Sequence, residues 1–161
     1  MKLNNKALLT SGGIGVAIQI LIAICGGLPN FAPAITSDPT ILATAFGMQA
    51  SVVWVACLCG GIITIGIGFA YVYFAKSEGP VEMASGAIGG AAAGAVASLI
   101  GGLLTVCLTV VSAFVVTSGD PVTALTAAIA GLIGTFCGGI VGAAIFGAIG
   151  GAIGAATVGK S

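Results

Sequence analysis

The chain has 161 residues, of which 58% are hydrophobic and only 5% are charged, with four lysines balanced by four acidic residues. An average soluble domain carries about 25% charged residues, so this composition excludes an ordinary water-facing surface and predicts an integral membrane protein in a lipid bilayer. Zero net charge without a basic run also argues against nucleic-acid binding.

Charged residues divide the chain into four long uncharged runs, which we interpret as transmembrane helices of an all-α protein. Only helices and closed barrels satisfy the backbone in lipid, and runs without period-two alternation favour helices. The first run follows Lys2 and Lys6 in the manner of a signal peptide, but it is long enough to span a membrane, so a retained helix is expected. The predicted helices within the single membrane domain 1–161 are residues 7–28, 40–75, 83–116 and 122–158.

Acidic residues next to prolines mark the expected helix starts. Asp38–Pro39 and Asp120–Pro121 each place a capping carboxylate before a proline at the first helical position. Glu82 is expected in the first turn of the third helix, near the positive end of its dipole.

The last three runs exceed the roughly 20 residues that cross a bilayer, so these helices should tilt, break or protrude. In the second run, Trp54 at one end and Tyr71 and Tyr73 at the other have the spacing of interfacial aromatic belts. This places the lipid-crossing part at residues 54–74. The alternative is that Trp54 simply packs against a neighbouring helix.

The lysines predict the topology. With four spans, all of them fall on one side: Lys2, Lys6, Lys76 and Lys160. The positive-inside rule then predicts a protein of the cell (cytoplasmic) membrane with both termini in the cytoplasm.

Three short matches in the same order suggest an internal repeat, residues 7–75 and 81–158. The matched strings are SGGIG at 11–15 with SGAIG at 85–89, TSDP at 36–39 with TSGDP at 117–121, and CGGI at 59–62 with CGGI at 137–140. Each half holds an even number of spans, so the two helical hairpins would be parallel, related by an axis along the membrane normal.

Many of the 28 glycines recur at a spacing of four in the third and fourth helices. Lipid tails are as apolar as leucine, so close approach of small residues, a glycine zipper, would drive helix packing. The predicted packing residues are Gly86, Gly90, Gly94, Gly102, Gly131, Gly139, Gly147 and Gly151. A second, neighbouring row along the fourth helix holds Gly134, Gly138, Gly142, Gly150 and Gly154, and Phe146 interrupts it.

Two rows on one helix exceed what one neighbour needs, so we expect a neighbour on each side, in the same chain or in another. This favours a homo-oligomer or a subunit of a larger membrane complex. Leucine at Gly90 or Gly147 would then break the assembly.

Residues for catalysis are missing. The chain has no histidine and its runs hold no ionisable group, so we predict no catalytic, metal or cofactor site and no enzyme. Gln19 is expected to hydrogen-bond a neighbouring helix, or alternatively to line a conduction path. The cysteines are interpreted as reduced, buried packing residues: Cys25, Cys57, Cys59, Cys107 and Cys137.

The span pattern and strings such as Gly86-x-x-x-Gly90-x-x-x-Gly94 resemble those of small four-span prokaryotic membrane proteins. They are also loosely similar to glycine-rich subunits of inner-membrane protein translocases. The sequence therefore predicts a non-catalytic structural or accessory subunit of a membrane assembly. The alternative is a passive channel or permeation-type homo-oligomer whose helices break at paired glycines, 60–61, 101–102 and 138–139, and expose their carbonyls.

Overall fold

A computed structural model describes residues 3–27, 35–36, 38–116 and 121–159. Every element in these ranges is helical. The helices are α1 (Asn5–Gly27), α2 (Pro39–Ala75), α3 (Met83–Val116), α4 (Pro121–Ile133) and α5 (Val141–Thr157). A 3₁₀ turn, Lys76–Glu78, follows α2, and a π-helical segment, Gly134–Ile140, joins α4 to α5.

Four stretches of the described helices are long and apolar enough to cross a membrane. They are Asn5–Ile24, Cys59–Glu78, Met83–Val115 and Ala128–Thr157. The prediction of an all-helical, multi-pass membrane protein is thus confirmed. The side chain of Trp54 lies outside the described residues, as does the second predicted cap, Asp120.

The helices α2 and α3 form the centre of the bundle. They contact each other, and each also contacts α1 and α5. Within the described residues α1 and α5 do not meet, so they flank the α2–α3 pair. The helix α4 packs on α3 and runs through the π-helical segment into α5.

Two hydrogen bonds donated by backbone amides bring distant parts of the chain together at one end of the bundle. The Asn4 amide donates to the Tyr71 hydroxyl at 3.2 Å. The Val81 amide donates to the Gly159 carbonyl at 3.0 Å. The start of α1, the α2–α3 connection and the turn after α5 therefore lie together, as an even number of crossings requires.

The buried core consists mainly of small side chains. Ala93, Ala97 and Ala155 are almost fully buried beside the larger Tyr71 and Val72. Many large apolar side chains point outward, because lipid solvates leucine and isoleucine as well as a protein core does.

Hydroxyl side chains inside the spans satisfy their hydrogen bonds within their own helix. Ser11 donates to the Ala7 carbonyl at 2.7 Å, and Thr64 donates to the Gly60 carbonyl at 2.6 Å. Among the described residues, no buried side-chain nitrogen or oxygen lacks a hydrogen-bond partner. This is the arrangement that hydrocarbon surroundings demand.

The start of α2 follows the sequence prediction. Asp38 is the N-cap, Pro39 opens the helix, and the Asp38 carboxylate accepts a hydrogen bond from the Thr40 amide at 2.8 Å. At α3, Glu82 was expected in the first turn, but the helix begins at Met83 and Glu82 precedes it. The backbone carbonyl of Glu82 instead accepts the first hydrogen bond of the helix, from the Gly86 amide at 2.8 Å.

Acid should loosen the first turn of α2. Hydrogen bonds from the Thr40 side chain and amide hold the pKa of the exposed Asp38 carboxyl below its ordinary value of 3.8. A lowered folded pKa means that the capping contribution is present above the unfolded pKa and is lost as the pH falls through the folded value.

We therefore expect the exchange protection of the Thr40 amide to fall as the pH drops from about 5 to about 2, across the range where an Asp titrates. Hydrogen exchange corrected for the intrinsic rate measures this. In Asp38→Asn, which keeps an acceptor without a titrating group, protection should stay flat. Equal pH dependence in both proteins would assign the effect to another group.

Two interpretations need correction in the fold. The fourth helix is not a uniform α-helix, because residues 134–140 adopt π-helical geometry. The cysteines are not uniformly buried: Cys59 and Cys107 are free thiols on the outer surface of the chain. Cys25, Cys57 and Cys137 have side chains outside the described residues.

The internal repeat stays a prediction. Of the matched CGGI strings, residues 59–62 lie within α2, whereas residues 137–140 lie in the π-helical segment. The two copies thus differ in local helical geometry.

Candidate functional site: glycine contacts and a polar cleft

A close backbone contact joins α3 to α5 at glycines that were predicted to pack. A methyl carbon added at Gly86 would lie 2.7 Å from the Gly151 carbonyl oxygen. One added at Gly90 would overlap the Gly147 carbonyl oxygen, and one at Gly147 would overlap that of Gly90. Such an approach leaves no room for any side chain and permits weak Cα–H···O bonds between backbones.

An adjacent face of α5 packs on α2. A methyl carbon added at Gly150 would overlap the Ile65 carbonyl oxygen, and one at Gly154 would lie 3.1 Å from the Val72 Cβ. From α2, a methyl added at Gly68 would overlap the Gly147 carbonyl oxygen. Three helices therefore meet at Gly147.

These contacts give α5 two neighbouring helices, α3 and α2, and both belong to the same chain. The second row therefore does not by itself require another chain. Its first half differs, because methyl groups added at Gly134, Gly138 or Gly142 would meet no atom within 4 Å. We call Gly134, Gly138 and Gly142 the open row.

The remaining predicted packing residues lie along α3 and its neighbours. A methyl at Gly94 would lie 2.5 Å from the Ala143 carbonyl oxygen. At Gly131 it would lie 3.3 Å from the Val106 Cγ2, and at Gly139 3.3 Å from the Ser98 Oγ. Gly102 is half-buried.

The Gln19 side chain contacts a neighbouring helix. Its Cβ would lie 2.5 Å from a methyl added at Gly101 of α3, so the side chain packs across that glycine. The Gln19 stem makes the nearest part of this contact, and the side-chain Oε1 would lie 3.3 Å from the added methyl. The interhelical hydrogen bond predicted for its amide stays a prediction.

The sequence analysis did not include two close-packed glycines, one in α1 and one in α2, among the packing residues. A methyl at Gly15 would lie 2.8 Å from the Ala97 Cβ, and Gly68 contacts α5 as described. Both end short rows of small residues at a spacing of four, Ala7–Ser11–Gly15 and Ala56–Gly60–Thr64–Gly68. These rows are the signal that could have identified them.

The interpretation of Tyr71 also needs correction, because a residue of an aromatic belt should expose its ring to the lipid interface. The structure buries it, with 3% of its surface exposed, and its ring lies over Gly89 of α3. Tyr73 does fit the interpretation, since it is 54% exposed and the Lys76 ammonium lies 5.2 Å from its ring centroid.

A polar cleft of about 430 Å³ opens at the end of the bundle where the chain segments meet. Its lining combines the start of α1 with the α2–α3 connection. The lining residues are Leu3, Asn4, Asn5, Lys6, Tyr71, Ala75, Glu78, Gly79, Pro80, Val81 and Ser85. Gly79 makes the turn possible with φ 142° and ψ 176°, a conformation nearly exclusive to glycine.

The part of the chain that the structure describes holds no group of three or more histidine, cysteine, aspartate or glutamate side chains placed to bind a metal. Its distinctive features are therefore the backbone contacts between helices, the open row and the polar cleft.

In comparisons with known proteins, no family model, curated protein or solved structure matches this chain.

Proposed function

We propose that this protein is a non-catalytic, structural or accessory subunit of a membrane assembly, and that the open row is where a partner helix packs. The observation that carries the proposal is the contrast along the second row of glycines. Gly150 and Gly154 lie against α2, whereas Gly134, Gly138 and Gly142 face empty space at the same four-residue spacing. Small residues at this spacing favour close helix contact in lipid.

The internal contacts support a glycine-zipper interpretation of the bundle. Gly86, Gly90, Gly147 and Gly151 bring α3 and α5 into backbone contact. These four residues hold the chain together, so leucine at Gly90 or Gly147 would report on folding of one chain rather than on assembly. A test of assembly needs the open row.

The proposed location is the cell membrane, with both termini in the cytoplasm. Its support is the gathering of the lysine-bearing segments at one end, where Lys6 lines the cleft and Lys76 follows α2. Lysine-rich connections stay in the cytoplasm.

The channel alternative depended on helix breaks at paired glycines. Residues 60–61 and 101–102 lie inside α2 and α3, and 138–139 lie in a segment that is π-helical. The described helices therefore do not present the broken ends that this alternative requires.

Leucine at Gly138 or Gly142 should remove co-purifying membrane polypeptides while leaving the bundle folded, because a Cβ added at either position would meet no atom of the described residues within 4 Å. Native mass spectrometry of the full chain, gently extracted from its own membrane, measures the loss of partner mass. The matched control is Gly13→Leu on α1, where an added Cβ also meets open space.

Partners of fixed stoichiometry that disappear from the Gly138 and Gly142 variants and persist in the control would support the proposal. Partners that persist in all three would move the interface away from the open row. A chain recovered without other polypeptides would contradict the accessory role, and a pure homo-oligomer would make conductance in a planar bilayer the next measurement.

A further inference from the structure

The polar cleft lies at the boundary between hydrocarbon and headgroups. One candidate span begins at Asn5 and another ends at Glu78, and both residues line the cleft. Lys6 and Glu78 would be costly inside hydrocarbon, which fixes this end of the bundle at the polar interface. A cavity here is filled either by water or by the headgroup of a neighbouring lipid.

Among the described residues, the cleft lining holds one cation, Lys6, and one anion, Glu78. Both are exposed, and no ion pair joins them in the described part of the chain. Because these two charges sum to zero, the pair together matches neither a simple anion nor a simple cation. The complementary ligand carries a negative and a positive group together.

The start of α1 adds donors on the Lys6 side. The Asn4 side chain caps the Ala7 amide at 3.0 Å, whereas the amides of Asn5 and Lys6 precede any intrahelical acceptor. Amides at a helix start, beside a lysine, favour a phosphate group. A carboxylate across the cleft favours an ammonium group that can donate hydrogen bonds to it.

We propose that the cleft between the start of α1 and the α2–α3 connection binds the headgroup of a phospholipid that carries a primary amine. Lys6 and the first amides of α1 hold the phosphate, and Glu78 accepts hydrogen bonds from the ammonium. The cleft volume of about 430 Å³ lies in the range of small-ligand sites, about 300–1,000 Å³. The acyl chains then extend along the outer surface of the spans.

This assignment predicts a ranking of lipids. A phosphatidylethanolamine headgroup supplies both partners. A phosphatidylcholine headgroup keeps the charges, but its quaternary ammonium has no N–H for Glu78. A phosphatidylglycerol headgroup lacks the cation altogether and leaves Glu78 facing a net negative ligand.

The test uses the full chain in mixed micelles with equal amounts of these three lipids, and native mass spectrometry counts the retained lipid. We expect one phosphatidylethanolamine per chain, with binding weakened about tenfold, or about 1.4 kcal/mol, by Lys6→Gln and by Glu78→Gln. The controls are Lys76→Gln and Glu82→Gln, which make the same charge changes nearby, at residues that do not line this cleft. Elution volume and circular dichroism verify that all variants fold.

Retention lost in both cleft variants and kept in both controls supports the site. Equal loss in all four variants would reduce the effect to general electrostatics and overturn it. Preference for phosphatidylglycerol that depends on Lys6 alone would overturn the two-charge ligand. Soluble glycerophosphoethanolamine that binds as tightly as the lipid would make a free phosphorylated amine the ligand instead.

Discussion

Leucine in place of Gly90 should abolish the folded bundle. A single methyl carbon at Gly90 already overlaps the Gly147 carbonyl oxygen, which belongs to backbone and cannot rotate away. Leucine adds three further carbons at the point where α2, α3 and α5 meet. We expect no monodisperse protein after extraction, because the helices must separate over their whole contact to admit the side chain.

Alanine at Gly90 gives a graded version of the same test. Overpacking a core by a few atoms lowers the free energy of unfolding by about 1–3 kcal/mol. We expect a loss at or above the upper end of this range at Gly90, because the added methyl meets backbone atoms, which cannot rotate away as a side chain can. Unfolding of the purified chain by denaturing detergent measures the loss. Gly66→Ala is the control, because its added Cβ meets open space, so its higher helix propensity should leave stability unchanged or slightly raised.

The pair Gly90→Ala and Gly147→Ala should be non-additive. Once one methyl has pushed α3 away from α5, part of the room for the second already exists, so the double variant should lose less stability than the sum of the singles. Strict additivity would mean that the two methyls are accommodated independently, and the backbone contact between these helices would then be looser than the structure has it.

Much of the fold could be predicted from the sequence because hydrocarbon constrains backbones so strongly. Long uncharged runs must be helices in lipid, and Asp38–Pro39 is a local signal that needs no tertiary information. Glycines at a spacing of four indicate contact faces for the same reason. The sequence could not say which face meets which helix. The structure places Gly150 and Gly154 of the second row against α2, whereas a Cβ added in the open row would meet no atom within 4 Å.

Predictions from single residues failed where tertiary contacts decide. The sequence pattern predicts an interfacial position equally for Tyr71 and Tyr73. Only the packing of the Tyr71 ring over Gly89 shows that Tyr71 is buried and Tyr73 is exposed. The π-helical geometry of residues 134–140 has no period that a hydrophobic pattern could reveal. The polar cleft is lined by both Lys6 and Glu78, which lie far apart in the sequence, so no short sequence motif could predict the cleft.

Alanine in place of Tyr71 should be among the most damaging changes outside the glycines. The ring is 3% exposed and fills the space over Gly89, and its hydroxyl accepts the Asn4 amide at 3.2 Å. Removal of a buried aromatic side chain costs about 3–5 kcal/mol, because a cavity replaces its contacts. The loss should release the start of α1 from α2 and α3.

Tyr71→Phe separates the ring from the hydroxyl. It keeps the packing over Gly89 and removes one acceptor, which should cost only about 1 kcal/mol. Hydrogen exchange should therefore show the Asn4 amide deprotected in both variants, with the first turns of α1 deprotected in Tyr71→Ala alone. If Tyr71→Phe proved as damaging as Tyr71→Ala, the hydroxyl and not the ring would fasten α1 to the bundle. In that case the hydrogen bond to the Tyr71 hydroxyl would account for most of the stabilisation, and Gly89 would contribute only the space that the ring occupies.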